Sequence, residues 1–232
     1  MHLFRRHAAN AITSGNLLCG CYGIIALLVQ HSFVSAMYAV VAAAVLDFLD
    51  GFVARLTKTD SRIGAELDSL ADVVTFGVLP ALILFEMAGG VHSTIPVVGA
   101  YPVLLVAVFS AVRLAIFNVS TDQKEEFIGV PTPANALLIA TLPILQSSEI
   151  LPYSFFLPES LLVLSLVLSY LLVSPIHLFA LKFKSFAWKG NEVRYIFSVV
   201  SLLLLLYWRF FAFPFVIATY IVLSLIIHIQ KR

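Results

Sequence analysis

Eight apolar runs follow one another along this chain, at 12–30, 33–56, 67–89, 95–118, 132–147, 159–181, 193–209 and 211–230, and they dictate what it can fold into. At about 1.5 Å of rise per helical residue, such runs approach the ~30 Å of a hydrocarbon layer. A soluble domain cannot absorb them, because the 232 residues are 61% hydrophobic and only 12% charged, too few polar side chains to cover the resulting core. The chain therefore reads as an all-α integral membrane protein, a polytopic bundle of about eight transmembrane helices.

Charge in the breaks orients the bundle. Gln30-His31-Ser32, Gly89 to His92 and Ser147 to Pro158 carry no Lys or Arg. The other breaks do: Arg5 and Arg6 precede the first run, Arg55, Lys58 and Arg62 follow the second, and Lys124 follows the fourth. Lys182, Lys184, Lys189 and Arg194 surround the sixth connection, and Lys231 and Arg232 come last. With eight spans these residues share one side, which the excess of cytoplasmic Lys and Arg makes the inside. Only Arg113, within a run, and Arg209, on the opposite side, depart from the pattern. Both termini are expected in the cytoplasm, and a seven-span count would break the asymmetry.

The net charge of +1 gives no footprint for a nucleic-acid partner. Cys19 and Cys21, one residue apart, suit neither an ordinary disulfide nor a zinc site and read as packing residues. Arg5 and Arg6 before an apolar run could open a signal peptide, but no small-residue cleavage site follows, so a first membrane helix is expected. Without internal repeats or long linkers, residues 1–232 read as one domain.

Within this apolar chain stand Asp47, Asp50, Asp68 and Asp72. Carboxylates are costly at membrane depth and mark function there. The second run ends near Arg55, placing Asp47 and Asp50 in its last turns at i and i+3; a third helix starting near Glu66 carries Asp68 and Asp72 at i and i+4. A short connection makes these helices antiparallel neighbours, so the four groups converge just below the cytoplasmic surface. Together in a low dielectric they need cations. Oxygen ligands with no cysteine or histidine nearby indicate Mg²⁺ or Mn²⁺, and two such ions would hold a diphosphate.

Gly51, Ala54 and Gly64 would let a bulky ligand approach the backbone. Taken singly, these small residues could serve only helix packing, Arg55 and Lys58 only anchoring at a helix end, and the aspartates a transported cation. Their joint fixed spacing favours a catalytic site.

The pattern D-x-x-D-G-x-x-A-R-x(8)-G-x-x-x-D-x-x-x-D, complete from Asp47 to Asp72, resembles the signature of the CDP-alcohol phosphotransferase family. The resemblance implies a membrane enzyme, usually a homodimer, that uses divalent metal to move a substituted phosphate from a CDP-linked donor to an alcohol, releasing CMP. Further segments are similar to the phosphatidylserine synthase branch: Asn10 to Thr13 with Asn16, Ser69 to Gly77 with Pro80-Ala81, Arg113 to Asn118, and Phe127 to Ala134. That branch implies CDP-diacylglycerol and L-serine as substrates, membrane lipids as surroundings, and the last aspartate, Asp72, as the base. Asp47, Asp50, Asp68 and Asp72 would hold the metals. Gly51, Ala54, Arg55, Gly64 and Asp68, with Thr13 and Asn16 on the first helix, are the candidates to hold CDP-diacylglycerol. Ile116 departs from the branch, where a basic residue is expected, and leaves Arg113 as the one cation of its helix.

Serine brings a carboxylate beside four aspartates and needs a cation, for which the planar guanidinium of Arg113 is a bidentate match. Arg113 could instead pair with an aspartate to hold the bundle. Thr132 and Pro133 read as N-cap and first residue of the fifth helix, whose free N–H groups could receive an anion. Asn118, one helix end away, is a candidate to orient serine; simple capping serves equally for both Asn118 and Thr132. Ser174-Pro175 is expected to kink the sixth helix.

Three other functions fit less of the pattern. A relative using glycerol 3-phosphate or inositol phosphate would need more cations to meet a dianion. A divalent-cation transporter would place its acids near the bilayer midplane. A scaffold that keeps the site without using it is the third. The expected setting is an inner membrane of bacterial or archaeal type, with the site facing the cytoplasm.

Overall fold

The computed structural model describes residues 2–57, 62–90, 100–119, 127–148, 150–178 and 191–230. Its helices are α1 (His2–Leu28), α2 (Phe33–Thr57), α3 (Arg62–Asp72), α4 (Leu79–Met87), α5 (Leu105–Val119), α6 (Thr132–Ser147), α7 (Pro158–Val173), α8 (Glu192–Trp208) and α9 (Ala212–Gln230). They follow the apolar runs. Among the described residues, five stretches are long and apolar enough to cross a membrane: Ala8–Leu28, Phe33–Leu56, Ile63–Met87, Tyr101–Val119 and Glu192–Ile227. Pro158–Val173 is a shorter apolar helix. Lys58, Lys124, Lys182, Lys184, Lys189, Lys231 and Arg232, on which most of the charge asymmetry rests, lie outside the described residues, as does His92.

Small residues bring the first helices together. Ala36, Ala39, Val40 and Ala43 of α2 are buried, as are Ala26 and Leu27 of α1. On α1, a Cβ at Gly20 would lie 2.5 Å from the Thr75 hydroxyl, and one at Gly23 would run into Leu79. In lipid no hydrophobic force drives helices together, so close backbone packing does much of that work. α6 contributes Ala136, Ile139, Ala140 and Leu142 to the core and packs against α2, α4 and α9. Apolar side chains such as Leu18, Val45, Phe48 and Val108 point outward, where lipid replaces water as the neighbour.

The long stretch 192–227 is a hairpin. Arg209 adopts a positive φ of 50°, and the Phe197 and Tyr220 rings, far apart in sequence, lie 5.7 Å apart. This agrees with the break expected between the runs 193–209 and 211–230.

Four local readings need correction. The third helix begins at Arg62 rather than near Glu66, a turn earlier. It is also not continuous, since Val73–Val78 forms a π-helical turn between α3 and α4. Such a turn inserts one residue, re-aims the following side chains, and often accompanies function. Here it buries Thr75, Phe76 and Gly77. Gly77 makes room for α5, because a Cβ there would lie 3.1 Å from the Ser110 Cβ.

The other two corrections concern prolines. α7 does not kink at Ser174-Pro175 but stops at Val173, with Ser174 extended at φ −65° and ψ 146°. A residue before proline is pushed into that region. The chain then forms β2 (His177–Leu178), which pairs antiparallel with β1 (Phe127–Ile128). Beside this pair, the Gly129 N–H donates to the Ile176 carbonyl and the Val130 N–H to the Leu171 carbonyl, both at 3.0 Å. Lastly, Thr132 is not the cap of α6. Pro131 is, at φ −60° and ψ 136°, and Thr132 is the first helical residue.

The clasp between these segments depends on Gly129, which holds φ at +74° and whose added Cβ would run into the Leu172 carbonyl. Gly129→Ala is expected to destabilise the protein by about 1–3 kcal/mol or more, seen as a lower Tm of the detergent-purified protein. An unchanged Tm would mean that the clasp contributes nothing to stability.

Candidate functional site

Carboxylates from α2 and α3, two helices that both pack on α1, meet in one cluster. Asp47 and Asp50 occupy the last turns of α2 and Asp68 sits within α3, each offering an oxygen within 4.8 Å of the others. Asp50 and Asp72 are both only 6% exposed, and Asp47 and Asp68 are half-buried. Asp72, the last residue of α3, stands outside the close trio, although it feels the charges of Asp47, Asp68 and Asp50.

α1 steadies this arrangement from the side. The Thr13 hydroxyl donates to Asp50 Oδ2 at 2.7 Å, and Asn16 Nδ2 donates to Asp72 Oδ1 at 3.0 Å. The two donors lie at i and i+3, one turn apart on a single face. Thr13 and Asn16 thus touch the carboxylates themselves, in the manner of groups that orient metal ligands. Thr75 of the π-helical turn donates in return to the Asn16 carbonyl at 3.3 Å.

Two buried oxygens, Asp68 Oδ1 and Asn16 Oδ1, have no partner among the described residues. A buried acceptor left open is costly. Three converging carboxylates with an open buried oxygen are what a hard divalent cation takes as ligands, so the residues present fit Mg²⁺ or Mn²⁺. Beside them, a Cβ added to Gly51 would meet nothing within 4 Å, so this edge of α2 has room for a ligand. Ala54 and Gly64 are half-buried nearby in sequence, and Arg55 is exposed in the last turn of α2.

On the acceptor side, Arg113 of α5 is 8% exposed and lies within electrostatic reach of Asp72. Its NH1 donates to Thr132 Oγ1 at 3.5 Å, a long contact, and its Nε has no partner among the described residues. A small void of about 30 Å³ opens beside it, lined by Ile116, Phe117, Ile128 and the end of α7. Asn118 is exposed, and its Nδ2 donates to Ser69 Oγ at 2.8 Å, which ties the end of α5 to the residue after Asp68.

Sequence reasoning passed over two residues here. Asn135 of α6 is 1% exposed and Ser110 of α5 is fully buried, and neither the Asn135 amide atoms nor the Ser110 hydroxyl has a partner among the described residues. Helical register held the signal, since each lies three residues from Thr132 or Arg113. Cys19 packs against the core as expected, whereas Cys21 is exposed.

Comparison with known proteins accords with this geometry. Residues 6–173 match the model of the CDP-alcohol phosphatidyltransferase family. A CDP-diacylglycerol–serine O-phosphatidyltransferase of Helicobacter pylori (strain J99 / ATCC 700824) is 42% identical over 140 residues, covering 60% of this chain and 57% of that protein. Proteins of the same name from Bacillus subtilis (strain 168) and Saccharomyces cerevisiae (strain ATCC 204508 / S288c) are 37% and 36% identical, covering 56% and 57% of this chain and 72% and 52% of their own lengths. The chain thus spans little more than half of the Helicobacter and yeast relatives. With most of its length inside the matched region, and the carboxylate cluster within it, the chain belongs to the CDP-alcohol phosphatidyltransferase family.

Proposed function

We propose that this protein transfers the phosphatidyl group of CDP-diacylglycerol to the hydroxyl of L-serine, giving phosphatidylserine and CMP. The observation that carries the proposal is the convergence of Asp47, Asp50 and Asp68, with the buried Arg113 within electrostatic reach of Asp72. The names of the similar proteins support the serine acceptor.

Asp47, Asp50, Asp68 and Asp72 would hold Mg²⁺ or Mn²⁺, two ions in our assignment, which supply neutralisation of the diphosphate and of the charge growing at the attacked phosphorus. Gly51, Ala54 and Gly64 leave room for the donor, and Arg55 is placed for its nucleotide. Thr13 and Asn16 fix Asp50 and Asp72, and so act on the donor through these carboxylates. With Oδ1 of Asp72 engaged by Asn16, its other oxygen is the one to take the serine hydroxyl proton. The serine oxygen then bonds to the lipid-side phosphorus as the phosphorus–oxygen bond to CMP breaks. Arg113 receives the serine carboxylate with Thr132 beside it, and Asn118 acts through Ser69.

In this assignment residues 1–232 form one domain of eight spans, with both termini and the site on the cytoplasmic side of an inner membrane, and two copies form the working unit. Asp50 and Asp68 lie toward the facing ends of the apolar stretches Phe33–Leu56 and Ile63–Met87, with Asp47 and Asp72 deeper, and it is the family match that favours an enzyme over a cation transporter. Among the described residues Arg113 is the one buried guanidinium, which favours a zwitterionic acceptor over a phosphorylated one.

Purified protein with CDP-diacylglycerol and Mn²⁺ is expected to release CMP only when serine is added, and to stop on chelation. Release with glycerol 3-phosphate or inositol phosphate alone would overturn the serine assignment. Asp72→Asn is expected to lower kcat by about 10²-fold or more while Mn²⁺ still raises the Tm. Asp68→Asn is expected to abolish most of that Mn²⁺-dependent rise. Full turnover of Asp72→Asn would remove Asp72 as the base.

A further inference from the structure

Beneath Arg113 lies a set of polar atoms that the reaction as described does not use. Asn135 is 1% exposed, yet both its Oδ1 and its Nδ2 lack a partner. The Ser110 hydroxyl and the Arg113 Nε are likewise buried and unpartnered among the described residues. An amide with both ends unsatisfied is expensive inside a membrane protein, where water does not compensate. Four open atoms on three residues call for a polar occupant.

Helix geometry gathers them. Ser110 precedes Arg113 by three residues on α5, and Asn135 follows Thr132 by three on α6, so each pair shares a helix face. The Arg113–Thr132 contact joins the two faces. α5 approaches that contact from the bundle interior and α6 runs from it back into the interior. Ser110 and Asn135 therefore lie on the same side of the contact, each about 4.5 Å deeper. Ser110 also packs against Gly77, in the turn that directly follows Asp72, which sets the cluster next to the reacting end.

We propose that Asn135, with Ser110, binds the acceptor and selects an amino acid over other alcohols. This rests on serine being the acceptor. A guanidinium alone recognises any anion, carboxylate or phosphate. A carboxamide with donor and acceptor both open answers the two ends of a zwitterion: Nδ2 donates to the carboxylate beside Arg113, and Oδ1 accepts from the ammonium. The Ser110 hydroxyl offers the ammonium a second acceptor. The long 3.5 Å contact between Arg113 and Thr132 is the one to give way as the acceptor enters.

The test compares purified wild type, Asn135→Ala and Ser110→Ala, with CDP-diacylglycerol and Mn²⁺ present, following CMP release and Tm. L-serine is set against 3-hydroxypropionate, which keeps the hydroxyl and carboxylate but lacks the ammonium. Asn135→Ala is expected to raise the KM for serine roughly 10- to 100-fold, and to narrow the preference for serine over 3-hydroxypropionate, while leaving the KM for CDP-diacylglycerol unchanged. Ser110→Ala, which removes one atom and keeps the packing against Gly77, is expected to shift serine KM in the same direction by less.

Unchanged serine KM and unchanged preference in the variants would overturn the proposal while leaving the synthase assignment intact, as would a fall in Tm alone. Should Asn135→Ala not fold, Ser110→Ala decides by the same two readouts. If wild type itself releases CMP only with glycerol 3-phosphate or inositol phosphate, or with no acceptor, the synthase reading has failed, and the assignment of this cluster to an amino acid fails with it.

Discussion

Everything at the candidate site depends on two hydrogen bonds sent sideways from α1, from Thr13 to Asp50 and from Asn16 to Asp72. Carboxylates gathered in a membrane bundle repel one another and resist burial, so left alone they would splay toward water. A donor from a third helix opposes that. Because Thr13 and Asn16 are one turn apart on a rigid helix, they set Asp50 of α2 and Asp72 of α3 in a fixed relation without any ion in place. Gly20 and Gly23, further along α1, let it lie close enough to the π-helical turn and α4 for those bonds to form.

The π-helical turn gives this close approach a second consequence. By inserting a residue directly after Asp72, it separates two demands on one apolar stretch: α3 presents acids to a polar cluster, and α4 presents Leu79, Ile83 and Leu84 to a dry core. An uninterrupted α-helix would hold both faces in one register. Thr75, inside the turn, closes the loop by bonding to the backbone of α1.

Much of this was legible in the sequence, for reasons that can be traced. Apolar runs bounded by charge or proline locate helices because the bilayer leaves the backbone few alternatives, and Asp47 and Asp50 of α2 meet Asp68 of α3 as their spacing indicated, although both helices pack mainly on α1 and little on each other. Contacts between distant segments were not legible. Gly20 looks like any glycine in a helix until Thr75 is seen against it, and Asn135 reads as a polar accident until its register with Thr132 and Arg113 is known. The prolines misled for a local reason. Pro133 marked the start of α6 correctly to within a residue, but Pro131 took the capping position, which freed the Thr132 hydroxyl for Arg113. Ser174-Pro175 signalled a disturbance of α7 without telling a bend from an end.

The end of α7 matters beyond its own helix. Its 16 residues measure about 24 Å, several ångströms short of a hydrocarbon layer of about 30 Å, and the Leu171 carbonyl in its last turn accepts from the Val130 N–H, two residues before Thr132. A short span tilts little and leaves the surrounding lipid to thin around it. Through the Val130 bond, the length of α7 fixes where the chain leading to Thr132 is anchored, and with it the place at which α6 begins.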